Sequence, residues 1–107
     1  MNKAPPDDLR EYAHQWSYPI DLGIVRAVKI LRDADIHTIE SCEGGEGHSY
    51  PQPTVKFSGT PAEGWHALSR LMTFDLPVDW IGQVWTMTYG RPTGPAWLVT
   101  FWKKLDV

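Results

Sequence analysis

The residues able to do chemistry are concentrated in one stretch, 38–51, which reads Thr-Ile-Glu-Ser-Cys-Glu-Gly-Gly-Glu-Gly-His-Ser-Tyr-Pro and contains the only cysteine, Cys42, with His48, three glutamates and three glycines. A thiol beside glycines that can aim backbone N–H groups at an oxyanion, with His48 as base, has the parts of a nucleophilic site. Its charges oppose that use. Glu40, Glu43 and Glu46 flank the thiol, negative neighbours disfavour a thiolate, and no Lys or Arg lies within the loop. Metal binding suits the same residues better, because Cys42, His48 and a carboxylate from Glu40, Glu43 or Glu46 are donors that zinc accepts, and glycines let them converge. The paired short spacings of structural zinc sites are missing, so such a site would need ligands from elsewhere, such as His37 or His66. A phosphate cradle built on Gly44, Gly45 and Gly47 meets three negative side chains and lacks the Gly-Lys-Ser/Thr end of a P-loop. A cationic or amine ligand fits the charge better. The candidate ligand-binding set is therefore Glu40, Ser41, Cys42, Glu43, Gly44, Gly45 and His48, with Cys42, His48 and Glu40 as metal donors and zinc as the candidate cofactor. A purely structural loop competes with it: glycines for the turns, Cys42 as a small buried hydrophobe, His48 bonded to a backbone carbonyl.

The rest of the chain bounds these options. Its 107 residues suit one domain with a small core. A net charge of −3 argues against a sequence-independent grip on nucleic acid, which needs clustered Lys and Arg. No apolar run approaches the length of a membrane span, and residues 1–20 mix Asp, Arg, Glu and His, so a soluble cytoplasmic protein is expected. One cysteine makes no internal disulfide, which agrees with a reducing compartment. Six tryptophans in a chain this short read first as reinforcement of a small core, and whatever aromatic surface is left on the open sheet face would suit a homodimer interface.

The elements that must position the loop follow from periodicity. Leu9, Tyr12, Ala13 and Trp16 predict a short helix over about 7–16, which Pro19 ends. Asp21 is the expected cap of a helix over about 22–34 whose Ile24, Val28 and Leu31 face the core and whose basic side faces water. Strands are expected at 36–41 and 54–58, joined by the long tip 42–53. Alternation leaves two registers open: Ile39 toward the helices, with Thr38, Glu40 and Cys42 beside Lys56 on an open face, or Cys42 buried and Glu40 in need of a partner. Thr60-Pro61-Ala62-Glu63 is a capping box, and the helix it starts runs to about 72–74, burying Trp65, Leu68, Leu71 and Met72. Two strands, 80–89 and 96–103, flank a turn over 90–95, and Arg91 meets the acidic loop if both hairpin tips share one end of the sheet. The expected fold is α+β: a two-layer sandwich of a mostly antiparallel four-stranded sheet with two main helices on one face, in the order helix-strand-strand-helix-strand-strand, with a short N-terminal helix. Its outline is related to ferredoxin-like folds.

The stretch from Thr38 to His48, with Tyr50-Pro51 and the following Val55-Lys56-Phe57, resembles a signature of small bacterial and phage proteins of uncharacterised activity. In that pattern a helix leads into a Thr-x-x-Ser-Cys-Glu-Gly strand end, then a His and a Val-x-Phe strand. Thr38, Ser41, Cys42 and Gly44 also give a fainter similarity to the tRNA wybutosine-synthesis methyltransferase family. Gly45 stands where that family has an Arg, so neither a methyl-donor site nor a tRNA substrate is expected. Two functional readings stay open: a metal- or small cationic ligand-binding protein, or a non-catalytic interaction module that self-associates through an aromatic-rich sheet face.

Overall fold

The computed structural model describes residues 5–107. Three helices, α1 (Pro5–His14), α2 (Val25–Asp33) and α3 (Pro61–Thr73), accompany four strands, β1 (Thr38–Cys42), β2 (Thr54–Ser58), β3 (Val78–Thr88) and β4 (Arg91–Phe101). The sheet order is β1-β2-β4-β3 and every neighbouring pair is antiparallel. The fold is thus the expected α+β sandwich. Val28 and Leu31 of α2 and Ala67 and Leu71 of α3 pack with Val55 and Phe57 of β2 and Val99 and Phe101 of β4 to form the core. Leu9 and Ala13 of α1 close a smaller cluster with Val25. No helix among the described residues is long and apolar enough to cross a membrane.

Local chemistry explains most boundaries. Thr60 caps α3 as expected: its hydroxyl accepts from the Glu63 N–H and the Glu63 carboxylate accepts from the Thr60 N–H, with Pro61 in the first turn. The face that α3 buries differs from the expected one. Gly64, Ala67 and Leu71 are buried, whereas Trp65 and Met72 are exposed and Leu68 is half-buried. The small residues let the helix approach the sheet until Trp97 fills the space of a side chain at Gly64, where a Cβ would stand 2.4 Å from the indole ring. Trp97 stacks on Phe57, and its N–H donates to the Gly59 carbonyl at 3.2 Å.

The last hairpin also departs from expectation. Its turn is Tyr89-Gly90, both at positive φ, a two-residue primed turn, and Arg91 through Pro95 are already strand. β2 pairs with β4 only between Ala96 and Thr100, so the distal part of the β3–β4 ladder projects beyond the sheet as a two-stranded arm. The chain direction places the β1–β2 tip and the Tyr89-Gly90 tip at opposite ends. Arg91 therefore does not meet the acidic loop.

Candidate functional site

A bulge in β1 decides how the loop residues face. Ser41 pairs with Val55 and Glu40 with Lys56, but Thr38 pairs with Phe57, so Ile39 is an extra residue in the ladder. Thr38 and Ser41 thereby share the helix-covered side with Phe57 and Val55, while Glu40 and Cys42 lie out of phase with them. Ile39 is pushed outward and is 52% exposed. Each of the two registers read from the sequence is thus partly realised: Glu40 sits beside Lys56 on the outer face, and Cys42 is nevertheless buried.

Cys42 is 5% exposed and Thr54 opposite it 1%, yet neither belongs to the main core. The chain that follows β1 closes over them. Gly44, at φ +83°, lies so near the Gln52–Pro53 peptide that a Cβ would come within 2.4 Å of the Gln52 carbonyl carbon, so only glycine fits. Gly45 donates to the Pro51 carbonyl at 3.1 Å, the His48 N–H donates to the Gly45 carbonyl at 3.1 Å, and this turn presents the imidazole. Tyr50 donates its hydroxyl to the Glu40 carboxylate at 3.1 Å, tying the loop back along β1. Burial raises the Tyr50 phenol above its usual range, and the hydrogen bond to Glu40 adds to the shift. Glu40 is thereby committed to the loop's tie and takes no place among the clustered donors.

The carboxylate that joins Cys42 and His48 comes from Asp21. The three potential ligand atoms lie within 4.8 Å of one another. Asp21 does not cap α2, whose N-cap is Ile24 without a side-chain hydrogen bond. Its carboxylate accepts instead from the Glu43 N–H at 3.0 Å, and the Glu43 carboxylate accepts from the Gly23 N–H at 2.9 Å. The turn before α2 and the start of the loop are thus strapped together twice. A Cβ at Gly23 would fall 2.7 Å from a Glu43 carboxylate oxygen and 2.9 Å from the Glu43 Cβ, so a side chain there would displace Glu43 from this hydrogen bond. The tail after β4 completes the bracket: the Leu105 N–H donates to the Gly23 carbonyl at 2.8 Å, and the Lys104 ammonium stands 3.6 Å from Glu43.

The imidazole lies between two carboxylates, with Nδ1 3.8 Å from Asp21 and Nε2 3.9 Å from Glu43. The Cys42 sulfur accepts from the Gly44 N–H at 3.4 Å. A buried thiol under a closed loop offers no path to a substrate carbonyl, so nucleophilic attack is disfavoured on access alone. Of the candidates named from sequence, Cys42, Glu43, Gly44, Gly45 and His48 belong to this bracket, Ser41 is half-buried on the helix side of β1, and Glu46 is exposed. His37 and His66 are exposed and outside the cluster. Sequence reasoning missed Asp21 and Lys104. Gly23 was the available signal, since glycine is a poor residue for a helical first turn and marks α2 as starting later.

Comparison with protein-family models, with curated proteins and with solved structures found no match for this chain.

Proposed function

We propose that the protein binds a divalent transition metal, zinc first among them, through Asp21, Cys42 and His48. The observation that carries this reading is the convergence of three donors of different types, from the segment before α2, the end of β1 and the loop tip, to within 4.8 Å. In a tetrahedral zinc site adjacent N, O and S ligands are separated by roughly 3.3–3.8 Å, so a contraction of about 1 Å brings them to bonding positions. Three protein ligands leave a fourth position for water or a ligand. Charge supports the same reading: among the described residues, Asp21 and Glu43 face the His48 imidazole and Glu43 also the Lys104 ammonium, and a bound cation offsets negative charge left between the two carboxylates. Glu43, facing the second imidazole nitrogen, is placed to orient the ring as outer-sphere carboxylates do. On this reading the Ser-Cys-Glu-Gly pattern similar to that of small bacterial and phage proteins is a metal-loop signature.

Equilibrium dialysis against zinc, followed by elemental analysis, tests the proposal. One equivalent is retained by the native chain and lost in Cys42→Ser and in His48→Ala. Equal retention by the native and variant proteins refutes it.

A second reading rests on the projecting arm, where Trp85, Met87 and Tyr89 are 60%, 65% and 101% exposed. An apolar arm of this kind suits self-association or a partner protein. Sedimentation velocity across a concentration series, compared with Trp85→Ser, tests it: association that the variant weakens supports the arm as interface, and a native chain monomeric throughout removes it.

A further inference from the structure

The two edges of the sheet are finished differently. β1 is five residues long, is bulged at Ile39 and carries a charge at Glu40. Shortness, a bulge and a charge are devices that keep an edge from pairing with another chain. β3, the other edge, has none of them beyond Asp79, whose carboxylate accepts from Gln52 at 2.9 Å. From Trp80 to Thr88 the strand contains no charged residue and no proline. The irregularity beside it lies in its neighbour: two steps of β3 from Val84 to Thr86 match three of β4 from Ala96 to Thr93, so the extra residue is in β4 and β3 runs on unbroken.

The hydrogen-bond phase fixes which backbone groups this edge presents. The Phe101 N–H donates to the Pro53 carbonyl on the β2 side and the Trp102 N–H to the Pro77 carbonyl on the β3 side, so along β4 the even-numbered residues bond β3. Through the pairs Thr100–Trp80, Leu98–Gly82 and Ala96–Val84, the even-numbered residues of β3 bond inward. Ile81, Gln83, Trp85 and Met87 therefore turn their N–H and C=O groups outward, where no strand pairs with them among the described residues. Their side chains share the helix side of the sheet. Next to Ile81 an apolar cleft of about 180 Å³ opens between the sheet and α3, lined by Gly64, Trp65, Leu68, Ile81 and Trp97.

We infer that β3 pairs antiparallel with β3 of a second copy about a two-fold axis at Val84, joining the two sheets into one of eight strands. That register engages every outward backbone group between Trp80 and Thr88. It also sets Met87 of each copy opposite Ile81 of the other, on the helix side, where it enters the apolar cleft. The occupant is a copy of this chain because the uncharged strand meets no like-charge repulsion on self-pairing, and because the cleft and the side chain that fills it stand at matching positions of one strand. Area agrees with this. At roughly 150–250 Å² per aromatic side chain, the exposed parts of Trp80, Trp85 and Tyr89 offer roughly 300–500 Å² per copy, to which Met87 and the cleft walls add toward the ~800 Å² per partner of a stable interface. Pairing stops at two, since the edges left outermost are both β1. The inference rests on self-association of the arm and names its geometry.

Amide hydrogen exchange of the ¹⁵N-labelled protein, measured below and above the concentration at which sedimentation shows association, tests it. The amides of Ile81, Gln83, Trp85 and Met87 slow by about tenfold or more on association, whereas those of Trp80, Gly82 and Val84, already bonded to β4, change less. Gln83→Pro, which deletes an outward N–H, and Met87→Lys, which puts a charge against the cleft, each weaken the dimer by about tenfold or more. A dimer whose odd-numbered β3 amides exchange as in the monomer, or one that Met87→Lys leaves unchanged, overturns edge pairing while the arm stays an interface of another geometry. A native chain monomeric at every concentration overturns both. The wild-type exchange pattern decides the matter even where Gln83→Pro fails to fold.

Discussion

The Asp21 carboxylate accepts a hydrogen bond from the Glu43 N–H at 3.0 Å across 22 positions of chain, while the Glu43 carboxylate accepts from the Gly23 N–H at 2.9 Å. This reciprocal pair joins the segment before α2 to the loop after β1, and it brings an Asp to Cys42 and His48. The consequences can be measured separately.

Asp21 and Glu40 differ in their expected effects on metal affinity. Asp21→Asn removes a proposed ligand charge and weakens zinc binding by about tenfold or more, and Glu43→Gln, acting on the imidazole from outside, weakens it by roughly 10–100-fold. Glu40→Gln leaves affinity within about threefold, because its carboxylate is bonded to Tyr50 outside the cluster. Competition against a chromophoric chelator measures all three, and a Glu40→Gln loss equal to that of Asp21→Asn would contradict the assignment.

Gly44 and Gly47 share φ +83° but differ in surroundings: a Cβ at Gly44 overlaps the Gln52–Pro53 backbone and one at Gly47 meets nothing within 4 Å. Gly47→Ala is expected to cost about 1–2 kcal/mol from the left-handed backbone alone. Gly44→Ala adds steric displacement of the loop and reaches roughly 3 kcal/mol or more. Urea unfolding compares them, and equal midpoints would show that the loop does not close tightly over Cys42.

Gly64 is the point where α3 approaches the sheet. Gly64→Ala drives a methyl into the Trp97 ring and is expected to cost about 1–3 kcal/mol by overpacking, despite the better helix propensity of alanine. The Trp97 N–H resonance, now bonded to Gly59, should move in the same variant. A stabilised protein with that resonance unmoved would mean that the helix sits farther out.

Tyr12 sets part of the alkaline limit. Burial raises its phenol above the usual 10.0, against a lowering by Arg32, with Asp33 raising and Lys29 lowering it further. The native state then holds the phenolic proton more tightly than the unfolded chain. The associated stability is complete below the unfolded value and is lost as pH rises through the folded one. Unfolding midpoints measured between about pH 8 and 11 should fall less steeply in Tyr12→Phe, with Tyr50 responsible for part of the remaining slope. Identical slopes in the two proteins would contradict this.

Much of the fold was legible without coordinates because its signals are local. The capping box at Thr60 and Glu63, the 54–58 strand and the apolar stripe of α2 each depend on residues within one or two turns of each other, and each formed as read. The loop was legible as a candidate site for the same reason, since Cys42, Glu43, Gly44 and His48 are neighbours in sequence. Nothing local announced the bulge at Ile39 or the choice of Gly64 and Ala67 over Trp65 as the buried face of α3. Those were decided by how closely α3 could approach Trp97 and by which β1 register satisfied Phe57 and Val55 together. The third donor was likewise a tertiary matter. From sequence, Asp21 reads as a helix cap, because a carboxylate before a helix has exposed amides within reach. In the folded chain the Glu43 amide is the acceptor's partner instead, and Asp21 stands beside the thiol and the imidazole, a placement that only packing across 22 residues of chain could bring about.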